Sequence, residues 1–417
     1  MYIKTLKLQD FRAIKYVDLN LQGKSTVLFG INGTGKSSVL RSINLLFADI
    51  INQIVNRKEL RQNYTIQLDD IRYGQHKTEI SAMIDIEGEQ IVYYKGMIRN
   101  SGKRINDKKA LKQISDIFHE KYVSDEEQLD IPIFVNYGTN RLVLDIPLRI
   151  RTHHTFDTYS AFEKSIESRI DFRTFFEWYR NQEDYENEQK VETGNLDYQD
   201  RALKAVKTAV LTMLDGCSNL RVARKPRLEM KIDKDGVSLN VSQMSDGEKC
   251  TMALMGDLAR RLTLANPRKE NPLLGEGIVL IDEIELHMHP SWQRKILNVL
   301  KKTFPNVQFI ITTHSPIVLS EADEDYNLLF MESDNNAVQV LTVNPLSGYD
   351  TNAVLERFMG TKSINLKTES LIHSIYVAID QGNYDEAKHK IAHLAEMTDE
   401  NHPDVIMANL ELKRRMK

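Results

Sequence analysis

The stretch that decides the fold is Gly30-Ile31-Asn32-Gly33-Thr34-Gly35-Lys36-Ser37, which follows a short apolar strand predicted over Thr26 to Phe29. Glycines let backbone N–H groups turn inward around phosphate oxygens, and the N-terminus of a following helix adds positive charge. That helix is predicted from Ser37 to about Ile54 by apolar residues at helical spacing, namely Leu40, Ile43, Leu46, Phe47 and Ile50. A strand, a glycine-rich loop and a helix in this order are typical of a P-loop.

The side chains of this loop have distinct expected tasks. Lys36 would reach the β- and γ-phosphates of a nucleotide, and Ser37 would offer its hydroxyl to Mg²⁺. A chance match is the alternative, but the flanking strand and helix argue against it. The residues expected to line the nucleotide are Gly30, Asn32, Gly33, Thr34, Gly35, Lys36, Ser37 and Ser38.

A second element, Gly277 to Ile281, is an apolar run that ends in Asp282 and Glu283. Such a run is typical of a buried parallel strand. At its carboxyl end Asp282 could join the Mg²⁺ shell, and Glu283 could polarise an attacking water. The pattern alone is weak, because any core strand that ends in acidic residues produces it. Paired with the P-loop it becomes strong, since one nucleotide site needs both halves.

Two further segments carry polar residues beside predicted elements. Ser245 and Gly247 precede an apolar helix and could form a second anion site, although Ser245 with Glu248 also fits a simple capping box. His314 follows the apolar strand Phe309 to Ile311, at the strand end where open α/β sheets bind ligands. His314 could sense a γ-phosphate, although a lone histidine is more often a packing residue.

The ordered motifs GINGTGKS, MSDGEK, GIVLIDE and TTHS resemble the ATP-binding-cassette (ABC) class of ATPases, in the branch shared by the RecF, SMC and overcoming-lysogenization-defect (OLD) proteins. The opening Leu8 to Ala13 and the stretch Asp282 to Pro290, followed by Trp292 and Gln293, resemble the same branch. The resemblance implies an α/β P-loop fold with a mixed sheet flanked by helices and an antiparallel β-lobe.

The same resemblance implies roles for the motif residues, with ATP and Mg²⁺ as ligands. In this class two subunits bind ATP head to tail, so that the signature loop of one faces the P-loop of the other. The implied roles are Walker A for Lys36 and Ser37, the signature loop for Ser245, Gly247 and Glu248, Walker B for Asp282 and Glu283, and the switch histidine for His314.

Two details depart from the pattern of the class. Asp246 occupies the place of the first signature glycine in transporters, and no Q-loop glutamine can be placed; the candidate for that region is Tyr137 to Arg141. A zinc site is a weaker interpretation of the acid and imidazole groups after Walker B, which more closely resemble a dimer-contact loop. Those groups are Glu285, His287 and His289.

The domain organisation follows from the motif spacing. We predict an ATPase N-lobe over 1–155, an inserted helical region over 156–218, an ATPase C-lobe over 219–345 and C-terminal helices over 346–417. The insert shows no heptads sustained over several repeats, so we expect a compact helical lid rather than a long coiled coil. The C-terminal helices are the candidate docking segment for a partner.

The composition excludes several classes. The formal net charge is −4, which argues against a protein coated with positive charge for blanket nucleic-acid binding. The two cysteines exclude a disulfide framework and fit a reducing cytoplasm, and we expect no membrane span. Local DNA contact stays open through two basic clusters, Arg149, Arg151, His153 and His154, and Arg221, Arg224, Lys225 and Arg227.

The expected effector is a separate protein. Leu328 to Asp334 faintly resembles the first half of a Toprim nuclease site, but no Asp-x-Asp follows it. The chain resembles the ATPase subunit of Septu-type and retron-associated anti-phage systems, which pair with an HNH nuclease. The alternatives are an ATPase that partners a separate Toprim nuclease in abortive infection, a RecF-like DNA-binding ATPase of DNA repair, and a transporter ATPase. The missing Q-loop and the N-terminal Phe11-Arg12 element disfavour the transporter.

Overall fold

The computed structural model describes residues 1–55, 57–123, 130–141, 156–334, 337–361 and 366–416. The chain forms two compact units, Met1–Tyr349 and Asp350–Lys417. The strands of the larger unit are β1 (Tyr2–Phe11), β2 (Ile14–Asn20), β3 (Ser25–Phe29), β4 (Lys77–Ile86), β5 (Glu89–Ile98), β6 (Arg104–Asn106), β7 (Ile133–Tyr137), β8 (Cys217–Ala223), β9 (Glu229–Lys234), β10 (Val237–Asn240), β11 (Gly277–Ile281), β12 (Val307–Thr313), β13 (Tyr326–Asp334) and β14 (Ala337–Val343).

The helices follow in the same chain order. Those of the larger unit are α1 (Lys36–Val55), α2 (Lys108–Tyr122), α3 (Phe172–Thr193), α4 (Arg201–Met213), α5 (Asp246–Ala265), α6 (Pro290–Gln293), α7 (Ile296–Thr303) and α8 (Pro316–Ser320). Those of the smaller unit are α9 (Thr351–Met359), α10 (Leu366–Asp380), α11 (Tyr384–Met397) and α12 (Pro403–Arg415).

A six-stranded sheet with the order β14-β13-β3-β12-β11-β7 forms the centre of the larger unit. The pairs from β13 to β7 are parallel, and only the β13–β14 pair is antiparallel. Strands β3, β7, β11 and β12 are buried along their whole length, as expected for parallel strands covered on both faces. The loops after β3, β11 and β12 therefore leave the sheet at the same edge, side by side.

Two antiparallel sheets accompany the central one. The order of the first is β2-β1-β4-β5-β6, and that of the second is β10-β9-β8. β4 buries alternate residues along most of its length, which is the period-two pattern of a half-covered strand. The predicted α/β class, with a mixed sheet, an antiparallel β-lobe, an inserted helical region and C-terminal helices, is confirmed.

Helix α1 begins at the P-loop lysine and lies in the core. Among the described residues it is the one helix with the length and apolar composition to cross a membrane. The sequence composition had predicted no membrane span. However, 72% of its apolar window is buried inside the protein, which is typical of a core helix. Phe47 stacks on Phe134 of β7 with ring centroids 4.2 Å apart, so α1 is fixed on the central sheet.

The inserted helices α3 and α4 pack against α5, the helix that follows the signature motif. Gly256 of α5 makes this approach possible, because a Cβ there would lie 2.9 Å from the ring of Phe175. Asp257 of α5 is fully buried and accepts hydrogen bonds from Arg260 and Arg261. Burial opposes ionisation, but the two guanidinium groups hold the pKa of Asp257 well below its usual range.

The smaller unit has its own core. Apolar residues at helical spacing on α10, α11 and α12 pack against one another. Gly382, with φ +77°, forms the tight turn between α10 and α11. The buried core residues are Ile375, Ala378, Ile379, Ala387, Ile391, Leu394, Val405, Ala408 and Leu412.

Candidate nucleotide site

The P-loop conformation depends on its glycines. Gly30 has φ +140°, and a Cβ there would lie 2.1 Å from the carbonyl oxygen of Met331 on β13. Gly33 has φ +83° and no neighbouring atom within 4 Å of a Cβ position, so its backbone faces open space. Thr34 is buried and donates a hydrogen bond to the carbonyl of Ile31 at 3.0 Å, which closes the turn. The loop is thus held open as a cradle of backbone groups.

Lys36 lies at the bottom of this cradle and is only 5% exposed. Its ammonium donates to the carbonyl oxygens of Gly30 and Ile31 at 2.9 and 2.8 Å. Burial lowers the pKa of Lys36 to about 8, although Asp282 and the neighbouring carboxylates act in the opposite direction. A phosphate beside Lys36 would replace weak carbonyl acceptors with a full negative charge.

A chain of short hydrogen bonds joins the P-loop to the carboxyl ends of β11 and β12. The Ser37 hydroxyl donates to Asp282 Oδ1 at 3.1 Å, and the Thr312 hydroxyl donates to the same oxygen at 2.6 Å. The backbone N–H of Glu283 donates to Thr312 Oγ1 at 2.8 Å. Glu283 has φ +48°, a left-handed conformation that is uncommon outside glycine and typical of functional turns.

The pair of Ser37 and Asp282 fits a magnesium ion. Mg²⁺ prefers oxygen ligands, and a hydroxyl with a carboxylate beside a phosphate cradle is the donor set that it takes in nucleotide sites. Both oxygens lie within one hydrogen bond of each other at the carboxyl edge of the sheet. The residues present therefore suit the ion that the sequence analysis predicted.

His314 lies beyond the end of β12 and is held through its backbone. Its N–H donates to Glu285 Oε1 at 2.6 Å, while the Thr313 hydroxyl donates to Glu285 Oε2 at 2.8 Å. Burial and the ammonium of Lys36 lower the pKa of His314, against the opposing effect of Glu285. The imidazole is therefore mainly neutral at neutral pH, so one ring nitrogen can donate and the other accept.

These residues surround a cavity of about 660 Å³, which is within the usual size of a small-molecule pocket. Its lining includes residues that the sequence predicted, namely Asn32, Gly33, Gly35, Lys36, Ser37, Ser38, Glu283 and His314. Gly30 and Thr34 shape the P-loop, and Asp282 is hydrogen-bonded to Ser37 of the lining.

Other residues of the lining were not predicted from the sequence. Arg12 is one of them, fixed by a 2.9 Å hydrogen bond to buried Asp70, which also accepts from Arg41. Tyr73 lines the same cavity and is 98% exposed, so its ring offers a free aromatic face of the kind on which nucleotide bases stack. Arg12 belongs to the N-terminal motif that carried the family resemblance, which was the available signal. Tyr73 belongs to no motif.

The signature residues lie elsewhere in the chain, outside the lining of this cavity. Ser245 caps α5 and forms the predicted capping box with Glu248, whose carboxylate also binds Lys234 at 2.6 Å. Burial favours the neutral form of the Glu248 carboxyl group, but the hydrogen bonds from Lys234 and Ser245 lower its pKa below the usual value. A Cβ on Gly247 would lie 2.2 Å from the carbonyl oxygen of His287, so the signature loop touches the segment after Walker B.

The remaining candidate groups have mostly structural partners. Glu285 supports the turn of His314, and His289 caps α6 through its Nδ1 atom. The described residues contain no group of three or more acidic, histidine or cysteine side chains arranged to hold a metal ion. In one basic cluster Arg221 pairs with Asp233, and Arg224 pairs with Glu183 and Asp184. The other cluster, Arg149, Arg151, His153 and His154, lies outside the described residues.

The sheet order, the glycine cradle and the polar residues after β11 and β12 define a P-loop ATPase of the ABC type. The chain belongs to the family described as "AAA domain, putative AbiEii toxin, Type IV TA system", whose model matches residues 25–320. The protein is thus an ATPase, and its family implies nucleotide binding.

Curated relatives agree with this family. The chain is 30% identical to "Retron Ec83 probable ATPase" of Escherichia coli, over 77% of this chain and 70% of the relative. It is 27% identical to "Retron Vc95 probable ATPase" of Vibrio cholerae, over 80% of this chain and 74% of the relative. It is 25% identical to "Septu protein PtuA" of Bacillus mycoides, over 86% of this chain but only 45% of the relative. The resemblance inferred from the motifs is confirmed.

Proposed function

We propose that this chain is the ATP-hydrolysing subunit of a cytoplasmic anti-phage defence complex, and that its nucleotide state gates a separate nuclease of the HNH type. The observation that carries the enzymatic part is the hydrogen-bonded chain Ser37–Asp282–Thr312–Glu283. It fixes the P-loop and the Walker B turn relative to each other within one chain. The retron and Septu relatives support the defence context.

The geometry of the cavity supports a proposed role for each of these residues. Backbone N–H groups of the P-loop and the Lys36 ammonium bind the phosphates, and Ser37 with Asp282 would hold Mg²⁺, which neutralises phosphate charge. Glu283 orients the attacking water and accepts its proton. His314 lines the cavity with Glu283, where its neutral ring can hydrogen-bond the terminal phosphate.

The position of the signature motif supports a head-to-tail dimer. Ser245 and Gly247 lie outside the lining of the cavity formed by Lys36 and Glu283, and Ser245 is exposed at the N-terminus of α5. An exposed serine at a helix N-terminus is suited to bind phosphate. We infer that Ser245, Gly247 and Glu248 of one copy complete the nucleotide site of a second copy.

The C-terminal unit is the proposed docking segment for the nuclease. Helix α12 buries Val405, Ala408 and Leu412 in the core of that unit. Its opposite face presents the exposed apolar side chains Ile406, Met407 and Leu410. We propose that this apolar face of α12 binds the HNH partner. The paired guanidinium groups of Arg221 and Arg224 give the RecF-like DNA-binding alternative less support.

The catalytic assignment is tested with two variants of the purified protein. Lys36→Ala should abolish ATP binding, whereas Glu283→Gln should bind ATP and hydrolyse it about 1,000-fold more slowly. Glu324→Gln is the matched control, because it makes the same change from carboxylate to amide at an exposed residue outside the cavity. This variant should hydrolyse ATP normally. Normal hydrolysis by Glu283→Gln would disprove the assignment of the base.

The gating assignment is tested by co-expression with the neighbouring open reading frame. An HNH gene there supports the proposal, a Toprim gene supports the abortive-infection alternative, and repair genes support the RecF-like one. With an HNH partner, DNA cleavage should differ between Lys36→Ala and Glu283→Gln complexes, because one cannot bind ATP and the other cannot hydrolyse it. Identical cleavage by both would contradict gating.

A further inference from the structure

Arg141 follows β7 and places its side chain under the Walker B turn. It is only 3% exposed, although the two preceding residues, Thr139 and Asn140, are exposed. Its guanidinium donates to the carbonyl oxygen of Asp282 at 3.0 Å and also to that of Glu283. A buried guanidinium is costly unless it is hydrogen-bonded, so these two bonds decide where the side chain lies.

The two carbonyl groups belong to the peptide units on either side of the Glu283 Cα atom. Hydrogen bonds to both units restrain the two backbone dihedrals of Glu283, which has φ +48°. Such a conformation persists in a non-glycine residue only where the surroundings hold it. Thr312 contributes a third restraint through the N–H of Glu283.

Arg141 is in turn connected to α5, the helix that the signature motif begins. The Cys250 thiol of α5 donates to the carbonyl oxygen of Arg141 at 3.4 Å. The Tyr137 hydroxyl, at the end of β7, donates to Asp257 of α5 at 2.9 Å. Burial lowers the pKa of Arg141, but Cys250 and the nearby carboxylates oppose this, so the guanidinium keeps its charge.

We propose that Arg141 is a positioning residue for ATP hydrolysis. It clamps the Walker B turn so that the Glu283 carboxylate points into the cavity, and it ties that turn to the signature helix. The inference rests on the proposed role of Glu283 as the base. Arg141 does not line the cavity, so it acts on the reaction through Glu283.

Steady-state kinetics of Arg141→Met and Arg141→Lys provide the test. Misplacing a reacting group by about 1 Å costs about 100-fold in rate, so Arg141→Met should lose about 100-fold in kcat with KM for ATP within about threefold. Arg141→Lys keeps the charge but loses the planar fork, and should lose about tenfold in kcat. Arg201→Met is the control, since Arg201 also donates to two carbonyl groups, those of Pro267 and Lys269, and none of these residues lines the cavity.

A double variant separates positioning from a merely structural role. If Arg141 acts through Glu283, adding Arg141→Met to Glu283→Gln should cause no further loss of the residual rate. A kcat of Arg141→Met within threefold of the unmodified protein would overturn the inference. So would a double variant whose loss of rate equals the product of the two single losses. If Arg141→Met does not fold, an unchanged kcat in Arg141→Lys overturns it. Normal hydrolysis by Glu283→Gln would instead refute the proposed function.

Discussion

Lys36 is buried, yet its proposed task is to bind the charged phosphates of a nucleotide. Its pKa falls from the usual 10.5 to about 8, so between those values the unfolded chain binds more protons and the free energy of unfolding rises with pH. A triphosphate favours the ammonium form. We therefore expect ATP affinity to fall as pH rises through about 8, by about tenfold between about pH 7.5 and pH 9.5.

The dissociation constant of ATP, measured across this range in the unmodified protein and in Lys36→Arg, checks the prediction. Arginine does not titrate below pH 12, so the variant should show a flat profile even if its affinity is lower. A flat profile in the unmodified protein would mean that Lys36 stays charged throughout and that its pKa is not lowered.

Residues in short motifs could be predicted from the sequence, and residues that act across the fold could not. The P-loop spacing predicts Lys36 and Ser37, and an apolar run before two carboxylates predicts Asp282. Thr312 begins the TTHS motif and Arg141 ends the Tyr137 to Arg141 element, but neither pattern predicts a contact with Walker B. Both residues lie beside Walker B because β7, β11 and β12 are parallel neighbours. The order of the elements along the chain does not specify this pairing.

At the scale of elements, the contact between the signature loop and the segment after Walker B leads to a prediction about stability and ATP hydrolysis. A Cβ on Gly247 would lie 2.2 Å from the carbonyl oxygen of His287. Because this oxygen belongs to the backbone, relieving the clash requires a backbone shift. Gly247→Ala should therefore lower the free energy of unfolding by about 1 to 3 kcal/mol and also slow ATP hydrolysis. Thermal unfolding and a steady-state ATPase assay measure both effects.

Asp246→Ala is the matched control for this substitution. Asp246 is the exposed neighbour of Gly247, and its contact is a surface ion pair with Lys249. Such pairs contribute little, so the control should unfold close to the temperature of the unmodified protein. If Gly247→Ala unfolds at the same temperature as Asp246→Ala, that result would contradict the close contact between Gly247 and His287.

The elements themselves followed the sequence patterns closely where local signals were strong. Asp107 caps α2, and the buried apolar residues of this helix recur at helical spacing. Helix α3 has a weaker apolar pattern, because its buried face includes Glu177, Glu183 and Glu186. Glu183 accepts backbone hydrogen bonds from Val222 of β8, a tertiary contact that makes a polar position part of the core.

At the scale of the whole molecule, the proposed sandwich predicts complementation between two inactive chains. Lys36→Ala damages only the P-loop side of a site, and Ser245→Arg damages only the signature side. In a mixed dimer one site receives both damaged parts, and the other receives both intact parts. Equal mixing under exchange gives half mixed dimers, so about a quarter of the sites, and about a quarter of the unmodified ATPase rate, should return.

The design of this experiment excludes rescue by other routes. Each variant alone should stay inactive at every concentration, and the recovered rate should depend on both chains being present. Adding Glu283→Gln to the Ser245→Arg chain should abolish the recovery, because that chain supplies the intact P-loop and its Walker B. Adding Glu283→Gln to the Lys36→Ala chain should leave the recovery unchanged. Activity that never exceeds the sum of the separate variants would show that the signature motif does not act on the site of a second copy.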